Sequence, residues 1–438
     1  MSELSDLYRQ LAALPKGYIS KKTIHGKVYF YHQYLEQGKL VSRYVSKEEA
    51  SSLSEQFALR KKIASQIKEY ERSHSKNFTL STAARNFDGY LMMGDEVVAT
   101  FDKGVLVDLD EKRCPLIVKR THSIEAFLSG RVLDSSRTNA RLLKKALGIH
   151  ESKDEYVSLY AYGACIGDNY WFKPKHSKLH YKDVTFDNDA YAELSLQGKL
   201  HIAPKAFHLS PEVNTRGSLE KGWKKINGHW RLYKSETKQQ AFSEIFASLL
   251  ARRLGIPSVL YGYEDPYVYS NNFAIETNFE PMVSYLGDNE DYGYVFSSLR
   301  PLGEKIQVAY LCLMRFDALV GNVDRHNENY GLMRDRRNGD IVSLSPNFDN
   351  NLCLLGYQDQ LPSNPRSDSF MKLFLAFIKK EKAAKELLSA CPLPLLEEEE
   401  ILALCKQVPI PCPTEEKELA RFILRRIALL NEAILSSL

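Results

Sequence analysis

One stretch, Ile306 to Asn350, restricts the fold more than any other part of the chain. It opens with apolar residues at helical spacing as far as Val320, meets Gly321, and enters the polar run Asn322-Val323-Asp324-Arg325-His326-Asn327-Glu328-Asn329. Apolar 3.6-residue periodicity closed by Gly is a helix with its stop signal. A basic turn follows, then the strand-like Ile341-Val342-Ser343-Leu344, then Asn347-Phe348-Asp349-Asn350. The chain is thereby committed to helix, loop, hairpin and loop, with Asp324, Asn329 and Asp349 held in the loops. A polar turn between an apolar helix and a strand favours Asp, Asn and Gly on conformational grounds alone. Against that plain reading, the second Asp arrives directly after a strand.

Those residue types in that order are the ones used in magnesium-dependent phosphoryl transfer. In protein kinases an Asp takes up the acceptor hydroxyl proton, an Asn five residues on holds a metal, and an Asp beyond a hairpin holds magnesium against the phosphates. Magnesium is a hard cation that seeks oxygen ligands, which Asn329 and Asp349 supply. Asp324 is then the candidate base. His326 joins the catalytic candidates, with a hydrogen-bonding brace as its alternative role, and Arg325 beside it is given no role.

Upstream, Asn214-Thr215-Arg216-Gly217-Ser218 is a turn of small residues that lets backbone N–H groups approach phosphate. Thr215, Gly217, Ser218 and Lys221 are nucleotide-binding candidates on this reading, and a plain surface turn is the alternative. Lys234 ends a short strand that alternates Trp230, Leu232 and Lys234 on one face. It is the candidate phosphate lysine. Lys173, closing the aromatic run before Pro174, is its rival, ranked lower because no helix follows it at once. Phe279 to Tyr285 reads as a hinge where the backbone at Glu280 and Met282 would bond an adenine; an edge strand carrying Pro281 is the equal alternative. The helix after Lys234 presents Phe242, Ile245, Phe246, Leu249, Leu250 and Leu254 on one face, which leaves Glu244 on the polar side.

The pattern D-x-L-x-x-N-x-D-R-H-x-x-N-x-G (Asp317 to Gly331) followed by S-P-x-F-D (Ser345 to Asp349) resembles the HipA-type serine/threonine kinases of bacteria. Their catalytic loop is also similar to that of phosphatidylinositol kinases. SPEVNTRGSLEKGW, WRLYK and SEIFASLLARRLGI are similar to the nucleotide-binding half of that family, and the likeness runs from about Lys76 to the C-terminus. The resemblance implies an α+β, bilobal protein-kinase-like fold with a small strand-rich N-terminal appendage. It implies ATP and Mg2+, transfer to Ser or Thr of a protein, Lys234 on the α/β-phosphates and Glu244 fixing that lysine. It further suggests an antitoxin-like protein partner, a toxin role, and self-phosphorylation at Ser218 or Thr215. The chain departs from the pattern twice: the phosphate loop is poor in Gly with Trp223 close behind Lys221, and Asn350 stands where ordinary protein kinases have Gly after the Asp.

With 438 residues, 44% hydrophobic and 26% charged, two or three domains are expected. A net charge of +4 does not by itself call for nucleic acid. Seven scattered Cys, an odd number, fit a reducing cytoplasm, and no apolar run of membrane-spanning length or signal core occurs, so no membrane is expected. The segments are read as 1–75, 76–150, 151–285 (N-lobe) and 286–438 (helical C-lobe). The first holds an opening helix, strands at Tyr18-Ile19, Val28 to His32 and Leu40 to Val45 joined by HGK and QGK turns, and a charged helix from Ser46 to about Arg72. With Lys21, Lys22, Lys27, Lys39 and Arg43 it resembles small sheet-reading DNA-binding modules; a protein-interaction appendage is the alternative. The second is a HipA N-terminal-like subdomain with strands at Gly89 to Met92, Glu96 to Phe101 and Gly104 to Leu109. It ends in a helical pair bearing Arg131, Arg137 and Arg141, its second helix capped by Ser135 or Ser136. A last helix, Thr414 to Ser437, turns Leu419, Phe422, Ile423, Ile427 and Leu430 to one face. Two other functions share parts of this pattern: a lipid or small-molecule kinase, and a nucleotide-binding, DNA-associated regulator.

Overall fold

Alternating polar and apolar runs broken by Gly turns fold into fourteen strands among the described residues, and every pairing is antiparallel. The computed structural model describes residues 7, 10–11, 13–24, 26–36, 39–74, 80–199, 209–356, 358 and 360–436. His25 of the HGK turn, Gln37 and Gly38 of the QGK turn, most of the opening helix, the boundary near Lys76 and the end of the last helix at Ser437 lie outside them. The class is α+β, as expected. The described residues form two compact units, the first built mainly from those before residue 80.

The first unit is a meander, β1 (Tyr18–Ile24), β2 (Lys27–Glu36) and β3 (Lys39–Val45), followed by α1 (Lys47–His74). Strand period 2 sends one side of β2 and β3 toward the helix. There His32 is buried, with its Nε2 2.8 Å from the Lys16 carbonyl and its ring 5.4 Å from that of Phe57, and Val45 and Ala50 are buried too, while Ile63 and Ile67 further along α1 cluster with Leu7, Leu11 and Leu14.

The second unit begins with β4 (Gly89–Met93), β5 (Glu96–Asp102) and β6 (Val105–Leu109), and β7 (Tyr170–Pro174) pairs with β4 to give the order β6-β5-β4-β7. Next come β8 (Lys221–Ile226), β9 (His229–Ser235), the helix α2 (Lys238–Arg253), β10 (Tyr261–Glu264) and β11 (Tyr267–Asn271), in a sheet of order β10-β11-β9-β8. A third sheet joins β12 (Thr277–Pro281), β13 (Gly331–Asp335) and β14 (Ile341–Leu344). The rest is helical: α3 (Glu304–Val320), α4 (Ser369–Lys380), α5 (Lys382–Ser389), α6 (Glu398–Gln407) and α7 (Glu416–Leu435). α2, α3 and the C-terminal helices share one apolar core, which includes all five residues expected on the inner face of α7.

A buried ion pair within the third sheet ties it to Tyr170 on β7. Arg334 on β13 meets the Glu280 carboxylate on β12, and both side chains are almost wholly buried. Arg334 also donates to the Cys114 carbonyl at 2.9 Å and the Tyr170 hydroxyl at 3.3 Å, while Glu280 accepts from the Leu116 N–H at 2.6 Å. The seven cysteines are free thiols, and no helix among the described residues is long and apolar enough to cross a membrane. Removing one partner of a buried pair strands the other charge. Arg334→Met is therefore expected to cost about 3–5 kcal/mol in urea unfolding, with Glu280→Met added to it recovering part of the loss.

Candidate active site

Antiparallel register sets the first half of the site. In the β8–β9 hairpin Lys221 stands directly opposite Lys234, an arrangement that repels unless negative charge is close. That charge is present. The Lys234 ammonium donates to Asp349 Oδ1 at 2.6 Å and lies 3.5 Å from Glu244 Oε2 and 3.6 Å from Glu236 Oε1, over the Tyr261 ring at 5.5 Å. Burial works against both charges, but Asp349 and Glu244 raise the lysine well above its ordinary range. Lys234 and Lys221 in turn hold the Asp349 carboxyl far below the usual carboxylate range. Lys221, desolvated and facing Lys234 and Arg137, is lowered to about 8.

Glu244 corrects the periodicity argument. It is fully buried, with Oε1 accepting the Asn350 N–H at 3.1 Å. α2 is enclosed on nearly every side from Ala241 to Ser248, so its polar face is an internal one. Glu236, just after β9, is a third carboxylate that the sequence did not single out. It is buried, neither oxygen has a hydrogen-bond partner, and burial with Glu244 and Asp349 nearby outweighs Lys234 and pushes it up to about 8.

The second half is the loop after α3. Gly321, in the left-handed region at φ 65°, ends the helix, and Asn322 Oδ1 accepts the Asp324 N–H at 3.1 Å. Asn329 turns its amide nitrogen onto the Asp324 carbonyl at 2.9 Å and the Asp324 carboxylate at 3.4 Å. With that nitrogen committed, the amide oxygen is the atom left to serve as a ligand. An oxygen from Asn329 and the carboxylate of Asp349 are donors of the kind a magnesium ion prefers, so the residues fit that cation. Asp324 is half-buried, and desolvation with Asp349 nearby raises its carboxyl above the ordinary value against the pull of His326 and Arg325. His326 accepts the Glu328 N–H on Nδ1 at 3.2 Å, a bracing contact within the loop.

Arg325 is the organising residue that spacing alone did not identify. Its guanidinium donates to both Asp317 oxygens at 2.9 and 3.1 Å, to the Asn329 and Phe348 carbonyls at 2.6 and 2.7 Å, and to the Asn347 and Asn350 side-chain oxygens at 2.7 and 2.8 Å. The signal available in the sequence was a carboxylate, Asp317, inside an otherwise apolar helix. The same contacts account for Asn350 where a Gly was expected: its side chain is needed by Arg325. The preceding Asp349 itself takes the left-handed φ of 58°.

The loop at Thr215 to Ser218 is held from beneath by Arg137, which donates to the carbonyls of Thr215, Arg216 and Gly217. Gly217 suits this turn because its φ of 105° is one that L side chains rarely adopt, and a Cβ would also push the Lys221 ammonium aside. Trp223 donates through its indole N–H to Thr215 Oγ1 at 3.0 Å, and that hydroxyl donates to the Pro211 carbonyl at 2.7 Å. Ser218 is exposed. Arg216 reaches across to Glu328 of the Asp324 loop at 2.7 Å.

Several expectations need correction. Of the expected hinge, Phe279 to Pro281 lie in the edge strand β12, the Met282 N–H is spent on the Tyr330 carbonyl, and the link from β11 to β12 is residues 272–276. From the expected run only Phe279 turns toward the site, in a half-exposed cluster with Phe273 and Phe348 at centroid distances of 5.4–5.5 Å. Lys173 belongs to the β4–β7 sheet, away from Asp349. Arg131 is occupied by Asp168 at 2.6 Å and Arg137 by the loop, so only Arg141 of that cluster is exposed. Ser135 and Ser136 cap nothing, because the helix begins at Ala140.

Comparison with known proteins adds the following. A family model for a domain of unknown function, DUF6788, matches residues 2–55. No curated protein matches the chain. The structure of the Helicobacter pylori proinflammatory kinase CtkA is similar at 18% identity, covering 51% of this chain and 94% of that one, with a TM-score of 0.40. HipA of Shewanella oneidensis MR-1, in a complex with HipB and operator DNA, is similar at 16% identity, covering 79% of this chain and 96% of that one, with a TM-score of 0.46.

Glu236 gives the site a pH signature. A carboxyl whose folded value lies near 8, against 4.5 when unfolded, contributes stability that is complete below pH 4.5 and is lost as the pH rises toward 8. Relative to Glu236→Gln, the native chain is expected to lose about 1–3 kcal/mol between pH 5 and 8. Denaturant titrations at both pH values check this, and equal differences at the two would contradict it.

Proposed function

We propose that the chain is a HipA-type kinase that transfers the γ-phosphoryl group of ATP to a Ser or Thr hydroxyl of a protein. The observation that carries the reading is the 2.6 Å contact between Lys234 and Asp349, 115 residues apart, with Glu244 beside it. Charge of alternating sign is thereby gathered at one point next to the Asp324 loop, as phosphoryl transfer requires. Lys234, with Lys221 behind the Thr215–Ser218 turn, would hold nucleotide phosphates, while Glu244 keeps Lys234 in place. Phe273, Phe279 and Phe348 would offer the base an aromatic wall.

Asp324 would accept the acceptor proton as the new O–P bond forms and the bond from the γ-phosphorus to the bridging oxygen breaks, releasing ADP. Its raised proton affinity suits that role. Asn329 and Asp349 would hold magnesium, which when bound neutralises the phosphate charge. Arg325 would act by positioning, since its donors are taken up within the protein. The sequence resemblance extends the proposal to an antitoxin-like protein partner, and the seven free thiols fit a cytoplasmic setting.

Transfer of labelled γ-phosphate from ATP to protein is expected to fall by 10²–10⁴-fold in Asp324→Ala and at least as far in Asp349→Ala. Asp324→Asn should still bind ATP in a thermal-shift assay. A native chain that binds ATP yet labels no protein would overturn the proposal. Self-modification is expected at Ser218, whose hydroxyl is exposed, rather than at Thr215, whose hydroxyl is held from two sides. Mass spectrometry after incubation with ATP distinguishes the two.

A further inference from the structure

The meander of the first unit has two faces, and only one is used by the fold. Side chains of the parity of His32 and Val45 turn toward α1. Those of the other parity, set side by side by the register, are Tyr18, Ser20 and Lys22 on β1, Lys27, Tyr29, Tyr31 and Gln33 on β2, and Leu40, Ser42 and Tyr44 on β3. Tyr18 is 54% exposed and Tyr44 60%, and Lys22 and Lys27 are exposed. Tyr31 and Tyr44 are directly paired across the strands with ring centroids 6.0 Å apart, Tyr29 lies 6.3 Å from Tyr44, and the Lys22 ammonium sits 5.0 Å over the Tyr31 ring. None of these ten positions is Asp or Glu.

These four tyrosines and two lysines lie on a face without Asp or Glu among the ten positions named, and none of the six is among the unit's buried residues. Protein interfaces disfavour lysine, whereas single-stranded nucleic acid asks for aromatic faces that stack on unpaired bases beside cations that meet the phosphates. Bases in a duplex keep their faces hidden, so an aromatic platform of this kind selects against one. We propose that the open face of the β1–β2–β3 sheet binds single-stranded nucleic acid, with bases stacked on Tyr29, Tyr31 and Tyr44 and the backbone drawn to Lys22 and Lys27.

The test is fluorescence anisotropy of the full chain with labelled dT and rU 12-mers and a 12-base-pair duplex, over a range of salt. Single strands should bind at least tenfold more tightly than the duplex, and the dT and rU arms tell DNA from RNA. Tyr31→Ala with Tyr44→Ala should weaken binding by at least about tenfold, while the corresponding Phe pair, which keeps the stacking faces, should bind as the native chain does. Lys22→Ala should lower the salt slope by about 0.7. If the alanine pair melts early, Tyr44→Trp serves instead: its added fluorescence should be quenched by the single strand and not by the duplex. Absence of single-strand binding, duplex binding of equal strength, or a Phe pair as weak as the Ala pair would each overturn the proposal.

Discussion

Arg325 and Asp317 make the contact on which the geometry of the candidate site rests. The two charges are almost wholly removed from water, and a buried ion pair stripped of one partner typically loses about 3–5 kcal/mol. The pair is therefore a fixed point rather than one of several loop conformations. Everything around it is measured from the guanidinium plane: the end of α3 through Asp317, the Asp324 loop through the Asn329 carbonyl, and the segment after β14 through Asn347, Phe348 and Asn350. Three stretches that are far apart along the chain are thus registered by one planar group. Lysine, with a compact ammonium and no fork, could not satisfy acceptors in so many directions.

Where Arg325 sets position, the Lys234 cluster sets charge. Two lysines face three carboxylates, Glu236, Glu244 and Asp349, in a volume with little solvent. Burial alone would neutralise most of these groups, yet Asp349 stays ionised because Lys234 is bonded to it and Lys221 adds to the same field. The strain appears elsewhere, in a Lys221 lowered to about 8 and a Glu236 raised to about 8. Two facing ammonium groups repel each other, and the neighbouring carboxylates are what make that arrangement tolerable.

How much of this could be read from residues depends on the range of the interactions. Asp324, Asn329 and Asp349 stood out because helix, loop and hairpin fix their separation locally, and the α+β class followed from the same periodicities. The face of α7 was legible because one side of it meets solvent. Glu244 was not, since a helix enclosed on nearly all sides has no polar face to reveal. A hinge and an edge strand stayed equally open for Phe279 to Tyr285, because an apolar run carrying Pro reads alike as connector or strand; the pairing of β12 with β13 makes Phe279 to Pro281 a strand. Arg325 left only the hint of Asp317 within its helix, while Arg137 and Glu236 act through partners that no local pattern brings to them.

The first unit shows the same limit for charge. Over the whole chain the net charge is only +4, which gave no reason to expect a polyanion. Residues 16–45 alone hold Lys16, Lys21, Lys22, Lys27, Lys39 and Arg43 against Glu36, a net of +5, so the rest of the chain sums to −1. Averaging over 438 residues had diluted a local concentration in a nearly neutral remainder. Charge acts over about a Debye length, roughly 8 Å at physiological salt, so the local sum is the one a ligand meets. Strand alternation then divides that stretch again, giving one face to α1 and leaving Tyr18, Lys22, Tyr29, Tyr31 and Tyr44 together on the other. Composition is blind to this division, and register makes it.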